Sequence, residues 1–350
     1  MTPSWIHNPS KALDRSFEQQ ARDRQQRLTK PPGSLGRLEE LCIWLAARQG
    51  RACPRVDAPH ITIFAGDHGV ARHGVSAFPP EVTGQMLANF AAGGAAICVL
   101  AREIGAALEV VDVGTLLETH PETVVVDRIA RGSADMTAAP ALSRAELEHA
   151  LAAGRRATLR ALEAGADLLI LGEMGIANTT AATAVGAVLT GGDIAGLAGP
   201  GTGLDRGGVT HKARIVERAI AHHELGPNSD PLDVLARVGG HELAALTGAY
   251  LSAAEYGLAV LVDGFIGTAS ALVASRVRPD VGGWMLVSHA SAEPGHRSFI
   301  DALGQAPTLD LGMRLGEASG AATLVALLHL ACALHGSMAT FEEAGVADGS

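Results

Sequence analysis

The chain has 350 residues, a net charge of −10 and 47% hydrophobic residues. That size and apolar content suit one large α/β domain with an appendage, or two modest domains. The acidic balance argues against a nucleic-acid partner, which needs a basic footprint, and only 3% aromatics points to close helix–sheet packing rather than stacking surfaces.

The first residues carry no basic and apolar secretory pattern. Residues 10–50 read as helical, polar at first and broken at Lys30-Pro-Pro-Gly33, with apolar residues at helical spacing over 37–48. From about residue 58, short apolar runs alternate with helical stretches. The runs are 61–64, 108–111, 168–171, 259–262 and 284–287, each followed by Gly, Ala, Asp or Ser. The helical stretches include 81–104, 143–164, 210–223 and 241–256. This alternation predicts a mostly parallel sheet covered on both faces, with ligands outside the carboxyl ends of its strands. The tail from about residue 305 lacks strand signals and reads as helical. With the N-terminal helices it is expected to form a small second lobe, so the expected division is 50–304 against 1–49 plus 305–350. The longest apolar stretch, 321–334, contains His329 and is too short to span a bilayer. It is expected to be a buried helix or an oligomer contact. Cys42, Cys53, Cys98 and Cys332 form no C-x-x-C pair, which fits structural thiols in a reduced, cytoplasmic protein.

Two glycine-rich turns stand near the middle of the chain. Gly172-Glu-Met-Gly-Ile-Ala-Asn-Thr-Thr180 follows an apolar run, and Gly199-Pro-Gly-Thr-Gly-Leu-Asp205 precedes a helical stretch. Such turns let main-chain N–H groups approach an anion, and the helix N-terminus adds a positive dipole end. Neither turn is a Walker loop or a G-x-G-x-x-G fingerprint, so the simpler reading is one phosphate held from two sides. The bland alternative is that both turns only join strands to helices. The chain has three lysines, Lys11, Lys30 and Lys212. Lys212, close behind the second turn, reads as a phosphate ligand or as a solvated helix residue.

Three kinds of chemistry compete at the strand ends. Gly66-Asp-His-Gly69 with His73, and Ser288-His-Ala-Ser-Ala-Glu-Pro-Gly-His296, offer metal-type ligands, yet their spacings match no zinc template. A metal-assisted phosphohydrolase would draw on Asp67, His68, Asp112 and His289. A serine nucleophile lacks its G-x-S-x-G elbow. Two carboxylates suit acid–base work better: Glu173 inside the first turn, and Glu317 in Leu315-Gly-Glu-Ala-Ser-Gly320. In a dry pocket either becomes a neutral-range base; otherwise Glu317 is a helix N-terminal residue favoured by the dipole.

The chain resembles the nicotinate-nucleotide–dimethylbenzimidazole phosphoribosyltransferase family, which assembles the nucleotide loop of cobalamin. The resemblance rests on Leu28-Thr-Lys-Pro-Pro-Gly-Ser-Leu-Gly-Arg-Leu-Glu39, Phe64-Ala-Gly-Asp-His-Gly-Val70 and Gly74-Val-Ser-Ala-Phe-Pro-Pro-Glu-Val-Thr83. It also rests on both glycine turns, Val262-Asp-Gly-Phe265, the 288–296 segment, Arg314-Leu-Gly-Glu317 and Thr340-Phe-Glu-Glu-Ala-Gly-Val346. It implies a three-layer α/β/α Rossmann-like fold with a small helical lobe, a homodimer, and no metal or other cofactor. The implied reaction is a pentosyl transfer of phosphoribose from nicotinate mononucleotide to 5,6-dimethylbenzimidazole. Carried over by position, Glu317 is the general base. Ser76, Phe78, Gln85, Met86 and Leu315 surround the benzimidazole. Glu173, Asp263 and Ser291 lie near the ribose, and Asn178 is a further substrate contact. Gly175, Ile176, Gly201, Gly203 and Lys212 hold the phosphate. A non-catalytic nucleotide sensor on the same fold is the remaining alternative. Two departures bear on base preference: the segment 131–142, and Ala318 where the family pattern leads one to expect glycine.

Overall fold

The computed structural model describes residues 3–347. Helix α1 (Arg15–Arg27) starts at Asp14, whose carboxylate accepts the N–H groups of Ser16 and Phe17. Helix α2 (Arg37–Gln49) ends on Gly50 in the left-handed region. Strand β1 (Pro59–Gly66) follows, then α3 (Glu81–Ala91) and α4 (Ala96–Glu103). The single helix expected over 81–104 is thus two. The chain breaks at Gly93, with φ +75, and at Gly94, where a Cβ would lie 2.5 Å from Asn89 Oδ1. Next come β2 (Ala107–Gly114), β3 (Val124–Val126), α5 (Arg144–Glu163) and β4 (Leu168–Met174). Ser143 and Glu146 close a reciprocal capping box at the start of α5. Helices α6 (Asn178–Thr190), α7 (Ile194–Leu197), α8 (Arg206–His222), α9 (Pro231–Val238) and α10 (His241–Tyr256) lead to β5 (Val260–Val262). The chain closes with α11 (Phe265–Val277), β6 (Met285–Val287), α12 (His296–Leu303), α13 (Ser319–Ser337) and α14 (Phe341–Ala344).

The six strands form one sheet in the order β3-β2-β1-β4-β5-β6, and every neighbouring pair is parallel. This is the doubly wound order, with its switch point between β1 and β4. Alternate strand residues feed two cores. Phe64, Val111, Leu169, Leu171 and Val262 pack with α5, α6, α10 and α11. Ile61, Ile63, Leu168, Ile170 and Leu261 pack with α2, α4 and α13. The helices at both chain ends therefore share a core with one face of the sheet. The 305–318 stretch departs from the expected helix: it is irregular, and Leu309 pairs with His289 in an isolated parallel bridge.

Two stretches, 81–103 and α13, are long and apolar enough to cross a membrane by length and composition. The first is divided between α3 and α4. In α13, Ala321, Leu324, Val325 and Leu328 are fully buried in the protein's own core, as expected for the apolar run 321–334.

The α5–α10 crossing depends on glycine at two facing positions. A Cβ on Gly154 would lie 1.9 Å from the Ala245 carbonyl oxygen, and one on Gly248 would lie 2.0 Å from that of Leu151. The obstacles are main-chain atoms, which move only with their helix. Gly154→Ala is accordingly expected to lower unfolding free energy by about 3 kcal/mol, as overpacking does, measured by urea denaturation.

Candidate active site

A cavity of about 650 Å³ lies at the carboxyl ends of β4, β5 and β6. Strand β4 delivers Glu173 and runs into the first glycine turn. The turn after β5 supplies Asp263 and Gly264, and the segment after β6 supplies His289, Ser291 and Glu293. Phe78, Val82 and Met86 form an apolar wall with Leu315 from the irregular tail. Gly201 and Thr202 bring in the second glycine turn, and Arg314 donates to the Gly201 carbonyl at 2.8 Å, tying the tail to that turn.

Glu317 sits where the tail turns into α13. Gly316, Glu317 and Ala318 all have positive φ, at 86°, 58° and 62°. Two non-glycine residues in the left-handed region mark backbone strain, which persists only where the surroundings impose it. Ala318 is fully buried, so the expected glycine has a conformational reason, and the alanine adds a methyl group without leaving that geometry. The Glu317 carboxyl is buried, and its Oε2 has no hydrogen-bond partner. Burial pushes its pKa up to about 7, against the N–H of Ile97 in the first turn of α4, while Asp263 adds to the rise.

Glu173 is more strongly perturbed. Burial, then the nearby Glu242 and Asp263 carboxylates, push it up to about 8, although Asn178 donates to it. Asp263 is also raised by burial, against N–H groups at the start of α13, of which Ala321 donates at 2.9 Å. His289 stands 3.7 Å from it. The cavity floor thus holds three buried carboxyls, Glu173, Glu317 and Asp263, each with its pKa raised by burial, a setting for proton acceptance.

The opposite end carries a buried cation. Lys212 is fully buried, between the two turns, and donates to Thr179 Oγ1 at 2.8 Å and to the Gly199 carbonyl at 3.2 Å. Burial draws its pKa down to about 8, opposed by Glu293. The solvated-helix alternative for Lys212 is therefore excluded.

The family model for phosphoribosyltransferases matches residues 10–346. The chain belongs to this family. The nicotinate-nucleotide–dimethylbenzimidazole phosphoribosyltransferase of Pseudomonas putida strain W619 is 55% identical over 350 residues, covering 99% of both chains. The enzyme so named from Azotobacter vinelandii is 54% identical over 350 residues, with the same coverage. The crystal structure of the Thermus thermophilus protein of that name superposes with a TM-score of 0.90 at 44% identity, covering 96% of this chain and 100% of that one.

Within this phosphoribosyltransferase, most positions singled out in the sequence converge. Glu317, Glu173, Gly175, Ile176, Asn178, Gly201, Asp263, Ser291, Phe78, Met86 and Leu315 all line the cavity. Four stand outside its wall. Lys212 lies behind the turns, and Gly203, with φ +118°, shapes the second turn instead of lining the cavity. Ser76 reaches that turn through a 2.8 Å hydrogen bond to Thr202 Oγ1, and Gln85 is exposed on α3. No residue of 131–142 reaches the cavity wall. Among the wall residues not singled out in the sequence are Val82, Thr179, Thr202, Glu293 and Arg314. Thr179 and Thr202 were signalled by standing inside the glycine turns.

The residues of the phosphohydrolase set are taken up by other partners. His68 bonds Glu242 at 2.5 Å, Asp67 accepts the Leu116 N–H, Asp112 holds Thr115 and His120, and His289 faces Asp263. Among the described residues no three His, Cys, Asp or Glu side chains are grouped for a metal ion.

Proposed function

We propose that the chain transfers the 5-phosphoribosyl group of nicotinate mononucleotide to 5,6-dimethylbenzimidazole, giving α-ribazole 5′-phosphate and nicotinate. One observation carries this reading: a buried carboxyl at Glu317, with one oxygen left without a partner, shares a cavity with an apolar wall and with two glycine turns. The relatives' shared name points to the same reaction.

The chemistry follows from the substrates. Nicotinate leaves from a pyridinium that is already cationic, so it needs no general acid. The benzimidazole attacks through one ring nitrogen and must lose a proton from the other. That requires one general base, and Glu317, with a pKa of about 7, is matched to it. Phe78, Val82, Met86 and Leu315 suit the flat, apolar acceptor. In this reading Glu173, Asp263 and Ser291, which line the cavity, bond the ribose hydroxyls. Gly175, Ile176, Thr179, Gly201 and Thr202, backed by Lys212, take the phosphate. Holding the two bases on opposite faces of the sugar accounts for inversion, and positioning itself supplies much of the rate.

In this reading the chain works as a cytoplasmic homodimer. Residues 50–304 provide the nucleotide contacts, while the 305–350 segment provides the base and the apolar cover at Leu315. Incubation with nicotinate mononucleotide and a panel of azoles, followed by mass analysis, is expected to yield nicotinate and the α-riboside phosphate in equal amounts. Release of inorganic phosphate without transfer would refute it.

A further inference from the structure

Several donors of the two glycine turns, and Lys212 behind them, are engaged within the chain. Gly201 N–H donates to Glu293 Oε1 at 3.0 Å, and Gly203 N–H donates to the Pro200 carbonyl at 2.9 Å. Ile176 N–H donates to Thr83 Oγ1 at 3.1 Å. The Lys212 ammonium is held by Thr179 Oγ1 and the Gly199 carbonyl. Thr83, Thr179 and the two carbonyls are neutral acceptors; Glu293 alone brings a charge. It is 5% exposed, lines the cavity, and its second oxygen, Oε2, has no partner. A Cβ on Gly199 would lie 2.0 Å from that oxygen, so glycine at 199 is what lets the carboxylate enter the turn.

A carboxylate oxygen on a main-chain N–H does the same job as a phosphate oxygen. We propose that Glu293 is a built-in stand-in for the substrate phosphate: it orders the second glycine turn in the free protein and gives up the Gly201 N–H when the phosphate arrives. This rests on the reading that the glycine turns hold the phosphate. Two anions cannot share one donor without strong repulsion, so binding is an exchange. The exchange favours a doubly charged phosphate ester, which can displace the carboxylate, over an uncharged nucleoside end, which cannot. Glu293 is therefore a specificity device as well as a brace for the turn.

Glu293→Gln keeps the shape and an oxygen for Gly201 N–H but removes the charge. The dissociation constant for inorganic phosphate, measured by calorimetry, is expected to fall about tenfold in this variant, as a nearby like charge is removed. An unchanged or weaker affinity overturns the proposal. The wild-type protein gives an independent test. Crystals soaked in orthophosphate are expected to show a phosphate oxygen on Gly201 N–H, with Glu293 Oε1 moved away. Phosphate bound beside the turns while Glu293 keeps Gly201 overturns the exchange and leaves the wider reading standing. If wild-type enzyme used nicotinate riboside as efficiently as the nucleotide, the phosphate reading itself would fall, and the exchange with it.

Discussion

Glu317→Gln is expected to lower kcat by about 10²- to 10³-fold, the usual loss when a general base is removed, with little change in the dissociation constant for nicotinate mononucleotide. The substitution is nearly isosteric. It leaves Ile97 N–H an oxygen acceptor and leaves the strained turn at 316–318 in place. What disappears is the ability to accept the benzimidazole proton. The pH profile makes this specific. A base works only when ionised, and burial raises Glu317 to about 7. In the wild type, log kcat/KM should therefore rise with unit slope up to a pH near 7 and then flatten. In the Gln variant that limb should vanish. Because Glu173, near 8, lies within electrostatic reach of Glu317, the observed midpoint belongs to the coupled pair. A wild-type limb at the ordinary carboxylate value, or a variant with unaltered turnover, would remove Glu317 from this role.

What was legible in the sequence depended on local contrast. The buried strand runs at 61–64 and 168–171 stood out because Ile, Leu and Phe sit together and end abruptly in Gly or Ala. β3 did not, since three valines at the sheet edge form too short a run. Helices α6 and α11 are buried on nearly every side, so they show no polar face and no 3.6-residue period for sequence reading to detect. The break between α3 and α4 lies in one Gly-Gly pair inside an otherwise continuous apolar pattern. The same logic holds for the site. The glycine turns, Glu173 and Glu317 announced themselves as residues out of keeping with their neighbours. Glu293 lay in a segment where the histidines drew attention, and its role depends on contact with Gly201, 92 positions away. Depth was invisible as well: nothing in the sequence around Lys212 says that a lysine beside a turn is wholly enclosed.

That enclosure sets up the second large effect. Lys212→Met should lower kcat/KM for nicotinate mononucleotide by about 10²-fold, as for loss of a charge-assisted hydrogen bond to the phosphate, while kcat/KM for nicotinate riboside stays near the wild-type value. Stability should move little, because two terms oppose each other. Replacing a buried ammonium with an apolar chain of similar volume removes a desolvation penalty. It also strips a donor from Thr179 Oγ1 and the Gly199 carbonyl, and a counter-charge from Glu293. Each loss costs about 1–3 kcal/mol for a buried group, so a shift of only a few degrees in Tm is expected. Lys212→Arg should not restore activity. The ammonium is fully buried and donates to Thr179 Oγ1 and the Gly199 carbonyl, and a larger planar guanidinium does not reproduce a point charge at that place. The riboside comparison decides between roles. If the Met variant lost the same factor with the riboside as with the nucleotide, Lys212 would be bracing the two turns and making no phosphate contact.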